Sequence, residues 1–224
     1  MNRVLIVAAH PDDDILGCGG IMSRLRNNVK FRVVFIGEGT SCRYNDPNDS
    51  DDVEKEIKIR NAFGIEALGY LGINSYHFYN LPCGRFDQEP LIKLNKIIEN
   101  EIDDFKPDTV FTHSDIDSNK DHVKVFNSVI IATRPGLGVN NVYSFEVLSS
   151  TEWGFSKAFI PNMFFELSEE DVECKSRALE KYKTEIQDPP HPRNKRGIYT
   201  LAKYRGIQSG KEYAEAFQLI REID

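Results

Sequence analysis

The sequence predicts an α/β fold, a mostly parallel sheet with helices on both faces, extended at the C-terminus by an antiparallel and helical segment. Apolar runs at residues 4–9, 31–36 and 109–112 read as strands, the first of them buried on both faces. Stretches with helical spacing separate them, and strand–helix alternation implies parallel pairing through right-handed crossovers. From residue 139 onward the pattern changes, which marks the extension.

Taken in order, residues 4–9 form the first strand, about 19–28 a helix and 31–36 the second strand. An Asn- and Asp-rich loop at 45–51 precedes a helical stretch at 52–71. A short strand is predicted at 75–80 and a helix at 91–105, closed by Lys106-Pro107, before the strand at 109–112. Residues 142–148 and 159–167 read as an antiparallel pair, and 169–183 and 199–221 as terminal helices. No flexible linker separates this last third. With 224 residues the chain suits one well-covered core and is short for two ordinary domains, so residues 1–224 are taken as one domain.

A hydrophobic fraction of 40% suits a globular protein and argues against disorder. The net charge of -7 argues against nucleic acid as a partner, because phosphate recognition wants a basic face. The apolar run before His10 is only six residues long, shorter than a signal peptide requires, and nothing approaches the roughly 20 apolar residues of a membrane span. Cys18, Cys42, Cys83 and Cys174 form no CxxC pair, so reduced thiols, a cytoplasmic location and no cysteine-ligated zinc are expected.

In an open α/β sheet, ligands bind beyond the carboxyl ends of the strands. The first strand runs into His10-Pro11-Asp12-Asp13-Asp14, and the strand at 109–112 runs into His113-Ser114-Asp115 and on to Asn119-Lys120-Asp121-His122. One imidazole and one carboxylate from the first loop, with one imidazole from the second, make three ligands of the kind catalytic zinc uses. Of the adjacent Asp12-Asp13 pair, one carboxylate is then spare for work as a base.

Blander explanations stand beside this one. Pro11-Asp12-Asp13 suits a helix cap, and His122 alone suits a solvated helix position. His77, in an aromatic strand, is assigned packing or hydrogen bonding and no catalytic role. Gly17, Gly19 and Gly20, with Glu38 further on, loosely mimic a dinucleotide fingerprint. However, the segment from His10 to Asp14 intervenes between the strand and the first glycine, where the fingerprint needs its glycines at the turn itself.

Ala9-His10-Pro11-Asp12-Asp13-Asp14 resembles the AHPDDE signature of the PIG-L/LmbE-like zinc de-N-acetylases, with Asp14 for the usual Glu, and Asp121-His122 resembles the end of that family's second motif. His191-Pro192-Arg193, Arg205-Gly206 and Tyr213-Ala214-Glu215-Ala216-Phe217 resemble a bacterial branch associated with surface-sugar biosynthesis. The resemblance implies a Rossmann-like fold, a zinc ion on His10, Asp13 and His122, and Asp12 as general base. It places Arg60 at the position of a substrate-binding arginine. It also implies that homo-oligomers are common.

Where many members carry HPDH, this chain has Asn119-Lys120-Asp121-His122. Asn119 can donate a hydrogen bond to an oxyanion but delivers no proton. His191, in a Pro-rich loop, is the candidate for that proton. Asp117 and Asp121 are candidates for contacts to the ligands or to substrate hydroxyls, with loop capping as the alternative. Asp14 is expected to orient its loop from behind the ligands. Hydrolysis of the acetamide of an N-acetylglucosamine-type conjugate is the reaction implied, with Arg85 and Asp87 as further substrate contacts. A metal-containing sugar-binding protein without turnover and a zinc amidohydrolase for a non-sugar N-acyl conjugate remain open. So does the metal, since a His/Asp/His set also accepts iron, cobalt or nickel.

Overall fold

The structure is a computed structural model that describes residues 1–44 and 51–224. The predicted loop at 45–51 lies outside the described residues except for Asp51. Seven strands form one sheet in the order β3-β2-β1-β4-β5-β7-β6. The strands are β1 (Arg3–Ala8), β2 (Lys30–Gly37), β3 (Tyr76–Leu81), β4 (Thr109–Thr112), β5 (Asn141–Phe145), β6 (Met163–Leu167) and β7 (Tyr213–Arg221). The helices are α1 (Asp13–Leu25), α2 (Asp51–Tyr70), α3 (Leu91–Phe105), α4 (Lys120–Ala132), α5 (Glu169–Leu179) and α6 (Lys195–Ser209). The first five strands pair in parallel, and β7 pairs antiparallel with both β5 and β6.

Alternate residues of β1 supply the cores on the two faces. Val4, Ile6 and Ala8 pack in one apolar cluster with α1, α5 and α6, and Leu5, Val7 and Ala9 in another with α3 and α4. A strand covered twice has no polar face to show, which is why the run is apolar throughout. Chain order reverses between β1 and β4, so the loops leaving these two strands flank a switch point of a Rossmann-like sheet.

Three expectations need correction. Residues 142–148 and 159–167 are not partners, because β7 lies between β5 and β6. The predicted helix at 199–221 ends at Ser209. Gly210, at φ 71, closes it in the left-handed conformation that glycine adopts without steric penalty, and the chain returns as β7. Finally, α1 begins at Asp13 rather than near residue 19, which carries Gly17, Gly19 and Gly20 inside the helix.

Those glycines are packing devices. A Cβ on Gly17 would sit 2.3 Å from the Phe145 ring, one on Gly19 2.7 Å from Lys175 Cγ, and one on Gly20 2.5 Å from Leu167 Cδ1. A buried ion pair also enters the helix. Lys175 Nζ donates to the Leu16 carbonyl (2.7 Å) and to Glu215 Oε1 (2.6 Å), while the Gly20 and Ile21 N–H groups donate to Glu215 at 3.0 and 2.8 Å. Glu38 is likewise occupied, accepting from the N–H groups of Thr40, Ser41 and Cys83. These placements remove the dinucleotide reading.

Candidate active site

Val7 of β1 is in register with Thr112 of β4, so His10 and His113 leave neighbouring strand ends together. Asp12 stands at φ 118, a conformation a non-glycine residue holds only when its surroundings enforce it. It occupies the cap position of α1 yet makes no side-chain cap bond, so the capping explanation does not account for its carboxylate. His122 lies in the first turn of α4, where Asn119 caps the helix by accepting from the Asp121 N–H at 2.9 Å.

Asp13 is the hub. Its Oδ2 is 3.4 Å from His10 Nδ1 and 3.3 Å from His122 Nε2. Donor atoms of His10, Asp13 and His122 all lie within 4.8 Å of one another, and the three residues are buried. His122 Nε2 has no hydrogen-bond partner among the described residues. A buried nitrogen that lies 3.3 Å from a carboxylate yet makes no hydrogen bond fits the role of a metal-ligand atom, because a buried polar atom without such a bond is otherwise costly.

The outer nitrogen of each imidazole meets another carboxylate: His10 Nε2 is 3.0 Å from Asp121 Oδ2, and His122 Nδ1 is 3.2 Å from Asp117 Oδ2. Such contacts orient metal-binding imidazoles and raise their basicity. Asp117 also accepts from Thr151 Oγ1 (2.6 Å), the Asn119 N–H (2.8 Å) and Ser150 Oγ. Asp121 accepts from the Gly84 and Phe86 N–H groups at 2.5 and 3.1 Å.

Burial alone would depress both imidazoles. The bonds of His10 to Asp121 and Asp13 lift it to about 9, and the Asp13 and Asp117 carboxylates lift His122 to about 10. Burial pushes Asp13 up, but His122 and His10 hold it well below the usual carboxylate range. The field that draws protons onto this cluster is also the field a divalent cation needs, and the donor set is one zinc accepts.

Two neighbouring groupings fit less well. His113, Asp117 and His122 converge, but the Ala9 N–H already occupies His113 Nε2 at 2.8 Å, and burial drives His113 well below its ordinary value. Cys83 converges with His10 and Asp121, which are already bonded to each other.

Beside this cluster, one oxygen of Asp12 is held and the other is not. Oδ2 accepts from Arg193 Nη1 at 2.9 Å and lies 3.3 Å from Arg60 Nη2; Oδ1 is buried without a partner among the described residues. Burial raises the Asp12 carboxyl to about 6, against the lowering pull of Arg193 and Arg60. Glu185 completes the layer, pairing with Arg43 at 2.7 Å, with Arg193 at 3.4 Å and with Arg60. Asp14 Oδ1 accepts from the Asp12 N–H and from Tyr182 OH, both at 3.3 Å, so it braces the loop from behind as expected.

The remaining predicted residues are spread around this centre. Arg60 is 3% exposed and donates to the Pro11 carbonyl at 2.9 and 3.1 Å, which directs it to the Asp12 loop rather than to an open surface. Arg85 donates to the Tyr44, Cys83 and Ser41 carbonyls, and Asp87 is exposed on the same loop. His191 accepts from the Arg193 N–H at 3.2 Å and meets Trp153 edge-on, with ring centroids 5.7 Å apart. His77 bonds Glu101 at 2.6 Å. Arg193 and Glu185 were missed as site residues. Arg193 stands in a motif that sequence reading singled out, yet nothing local points it at a residue 181 positions away.

A buried His/Asp/His cluster at a switch point, with a half-free carboxylate beside it, is a layout suited to hydrolysis. The PIG-L family model, GlcNAc-PI de-N-acetylase, matches residues 5–133, and the chain belongs to this family of hydrolytic deacetylases. The deacetylase YaiS of Escherichia coli (strain K12) is 28% identical over 183 residues, covering 81% of this chain and 90% of its own length.

Among solved structures, N,N'-diacetylchitobiose deacetylase from Pyrococcus horikoshii matches with TM-score 0.73 at 21% identity over 98% of this chain and 84% of its own. The zinc-inhibited form of teicoplanin deacetylase matches with TM-score 0.76 at 17% identity over 100% of both chains. The 4-carboxy-2-hydroxymuconate hydratase of Pseudomonas putida KT2440 matches with TM-score 0.75 at 20% identity over 100% of this chain and 98% of its own. At these identities the likeness is one of fold, and a hydratase on the same fold means that the reaction must be argued from the site. Among the described residues no helix is long and apolar enough to cross a membrane.

Proposed function

We propose that the protein hydrolyses the acetamide of an N-acetylglucosamine-type conjugate, releasing acetate and a free amine, with His10, Asp13 and His122 holding a zinc ion. The observation that carries this is the convergence of those three donors on an unpaired His122 Nε2, with the open oxygen of Asp12 alongside. When bound, zinc supplies Lewis-acid polarisation of the acetamide carbonyl and lowers the pKa of a coordinated water to about 7.

The chain's own residues do the rest. Asp121 and Asp117 keep the two imidazoles turned so that Nδ1 of His10 and Nε2 of His122 face Asp13. Arg193 fixes Asp12 by one oxygen, leaving Oδ1 to take a proton from the water that adds to the acetamide carbon. The leaving nitrogen receives its proton from Asp12 or from His191. Asn119 already spends its Oδ1 on the helix cap, so it meets the developing oxyanion through its amide N–H groups.

Arg60 serves substrate binding through Pro11 and Asp12. Arg85 and Asp87 border the loop whose amides hold Asp121, and so approach a substrate from the His10 side. Four free thiols suit a reducing compartment such as the cytoplasm. The test is acetate release from a panel of N-acetylglucosamine conjugates by zinc-loaded protein, with Asp12→Ala beside it. Release that is lost in the variant is expected; release that Asp12→Ala leaves intact would remove Asp12 as the base.

A further inference from the structure

We propose that the cavity beside Asp12 is a pyranose-binding subsite with the indole of Trp153 as its platform, an inference that rests on the sugar reading above. The cavity measures about 410 Å³, within the range of small-molecule sites; Trp153, His191, Ser149, Thr184 and Gln187 line it together with the Arg43, Glu185 and Arg193 charges. Its wall is continuous with the reaction centre: Arg193 donates to Ser149 Oγ through Nε at 2.5 Å and to Asp12 Oδ2 through Nη1 at 2.9 Å. A ring bound there sits one guanidinium away from the base.

The lining has the chemistry of a sugar site. An aromatic face takes the apolar C–H face of a pyranose, and hydroxyl and amide groups take its hydroxyls. Trp153 keeps 45% of its surface exposed, although a side chain of that size is usually covered.

The platform is also built to stay in place. Asp117, which faces His122, accepts from Ser150 Oγ and Thr151 Oγ1, and Thr151 Oγ1 accepts from the Val147 N–H at 2.8 Å. Ser118 Oγ donates to the Ser150 carbonyl at 2.7 Å, and a Cβ on Gly154 would lie 2.7 Å from the Ile116 carbonyl. Ser149 is held at φ 67 while its N–H bonds Glu152. The turn that carries the indole is therefore fastened to the carboxylate that orients His122, and a sugar on Trp153 is placed relative to the catalytic centre by a short chain of bonds.

Trp153 is the single tryptophan of the chain, so its emission reports occupancy directly. The zinc-loaded protein is titrated with N,N'-diacetylchitobiose and, as a non-sugar amide, with N-acetylglycine, while acetate is assayed in parallel. The expected result is a saturable emission change with the sugar alone. Trp153→Ala is expected to raise KM on the order of tenfold at nearly unchanged kcat, with Trp153→Tyr recovering most of the loss. Sugar turnover with unmoved emission and an unchanged KM in Trp153→Ala overturns the subsite and leaves the reaction standing. Saturable emission without turnover supports the subsite and overturns the reaction. Neither signal overturns both.

Discussion

Asp117→Asn isolates how the site prepares an imidazole for a cation. In the wild type, Asp117 Oδ1 accepts from the Asn119 N–H and Ser150 Oγ, while Oδ2 meets Thr151 Oγ1 and His122 Nδ1. An asparagine keeps its oxygen on the first pair, which turns its NH2 group toward Thr151 and His122. A donor facing Nδ1 requires that nitrogen to be the acceptor, so the imidazole proton moves to Nε2, the atom 3.3 Å from Asp13 Oδ2. When the wild-type imidazole gives up one proton to a metal, the one that remains stays on Nδ1 facing the Asp117 carboxylate; in the variant the remaining proton is held on Nε2, the ligand atom, with no acceptor at Nδ1 to take it.

The expected weakening of zinc affinity is about 10–100-fold, or roughly 1.4–2.8 kcal/mol. Competitive titration of metal-free protein against a chelating dye measures it, and thermal melting of the metal-free form checks that the variant is folded. A folded Asp117→Asn that binds zinc as tightly as wild type would refute both the tautomer argument and the assignment of His122 Nε2 as a ligand atom.

Lys175→Met leaves Glu215 buried without its cation and the Leu16 carbonyl without its donor. A loss of about 3–5 kcal/mol is expected, lowering the melting midpoint by roughly 6–20 °C, and a calorimetric loss under ~1 kcal/mol would contradict the role given to the pair. Burial lifts Glu185, but Arg60 and Arg43 pull it down to about 2, from an ordinary 4.5. With the folded value depressed, its contribution of about 3 kcal/mol is complete above pH 4.5 and disappears as pH falls toward 2. The stability gap between wild type and Glu185→Gln, followed by urea unfolding, should shrink across that window, and a gap independent of pH would contradict the ion-pair layer.

The parallel half of the fold is legible because its strands are short apolar runs separated by helical spacing, and α3 and β4 have the predicted bounds. The antiparallel end is less so. In Tyr213-Ala214-Glu215-Ala216-Phe217, Ala and Glu favour a helix, yet burial between β5 and β6 makes the segment a strand, a tertiary override of propensity. Gly210 was the available warning. The insertion of β7 between β5 and β6 is a non-local choice that no window of sequence expresses.

The same division runs through the site. The two loops that carry His10, Asp13 and His122 follow from strand ends and so from local pattern, whereas the choice of Asp13 over Asp12 and of His122 over His113 comes from the resemblance to the family motifs. Arg193 and Glu185 reach Asp12 only because the C-terminal segment folds back across the loop after β1. The acidic residues at 117 and 121 were visible, but their direction toward the two imidazoles depends on the start of α4 and on the Gly84 loop.

The measurement that bears most directly on the central claim is acetate release from an N-acetylglucosamine conjugate before chelation, after chelation, and after return of one equivalent of zinc. Chelation is expected to abolish release, and a single equivalent of zinc to restore it. Turnover that survives complete removal of metal would contradict the reading of His10, Asp13 and His122 as the metal centre of this hydrolase.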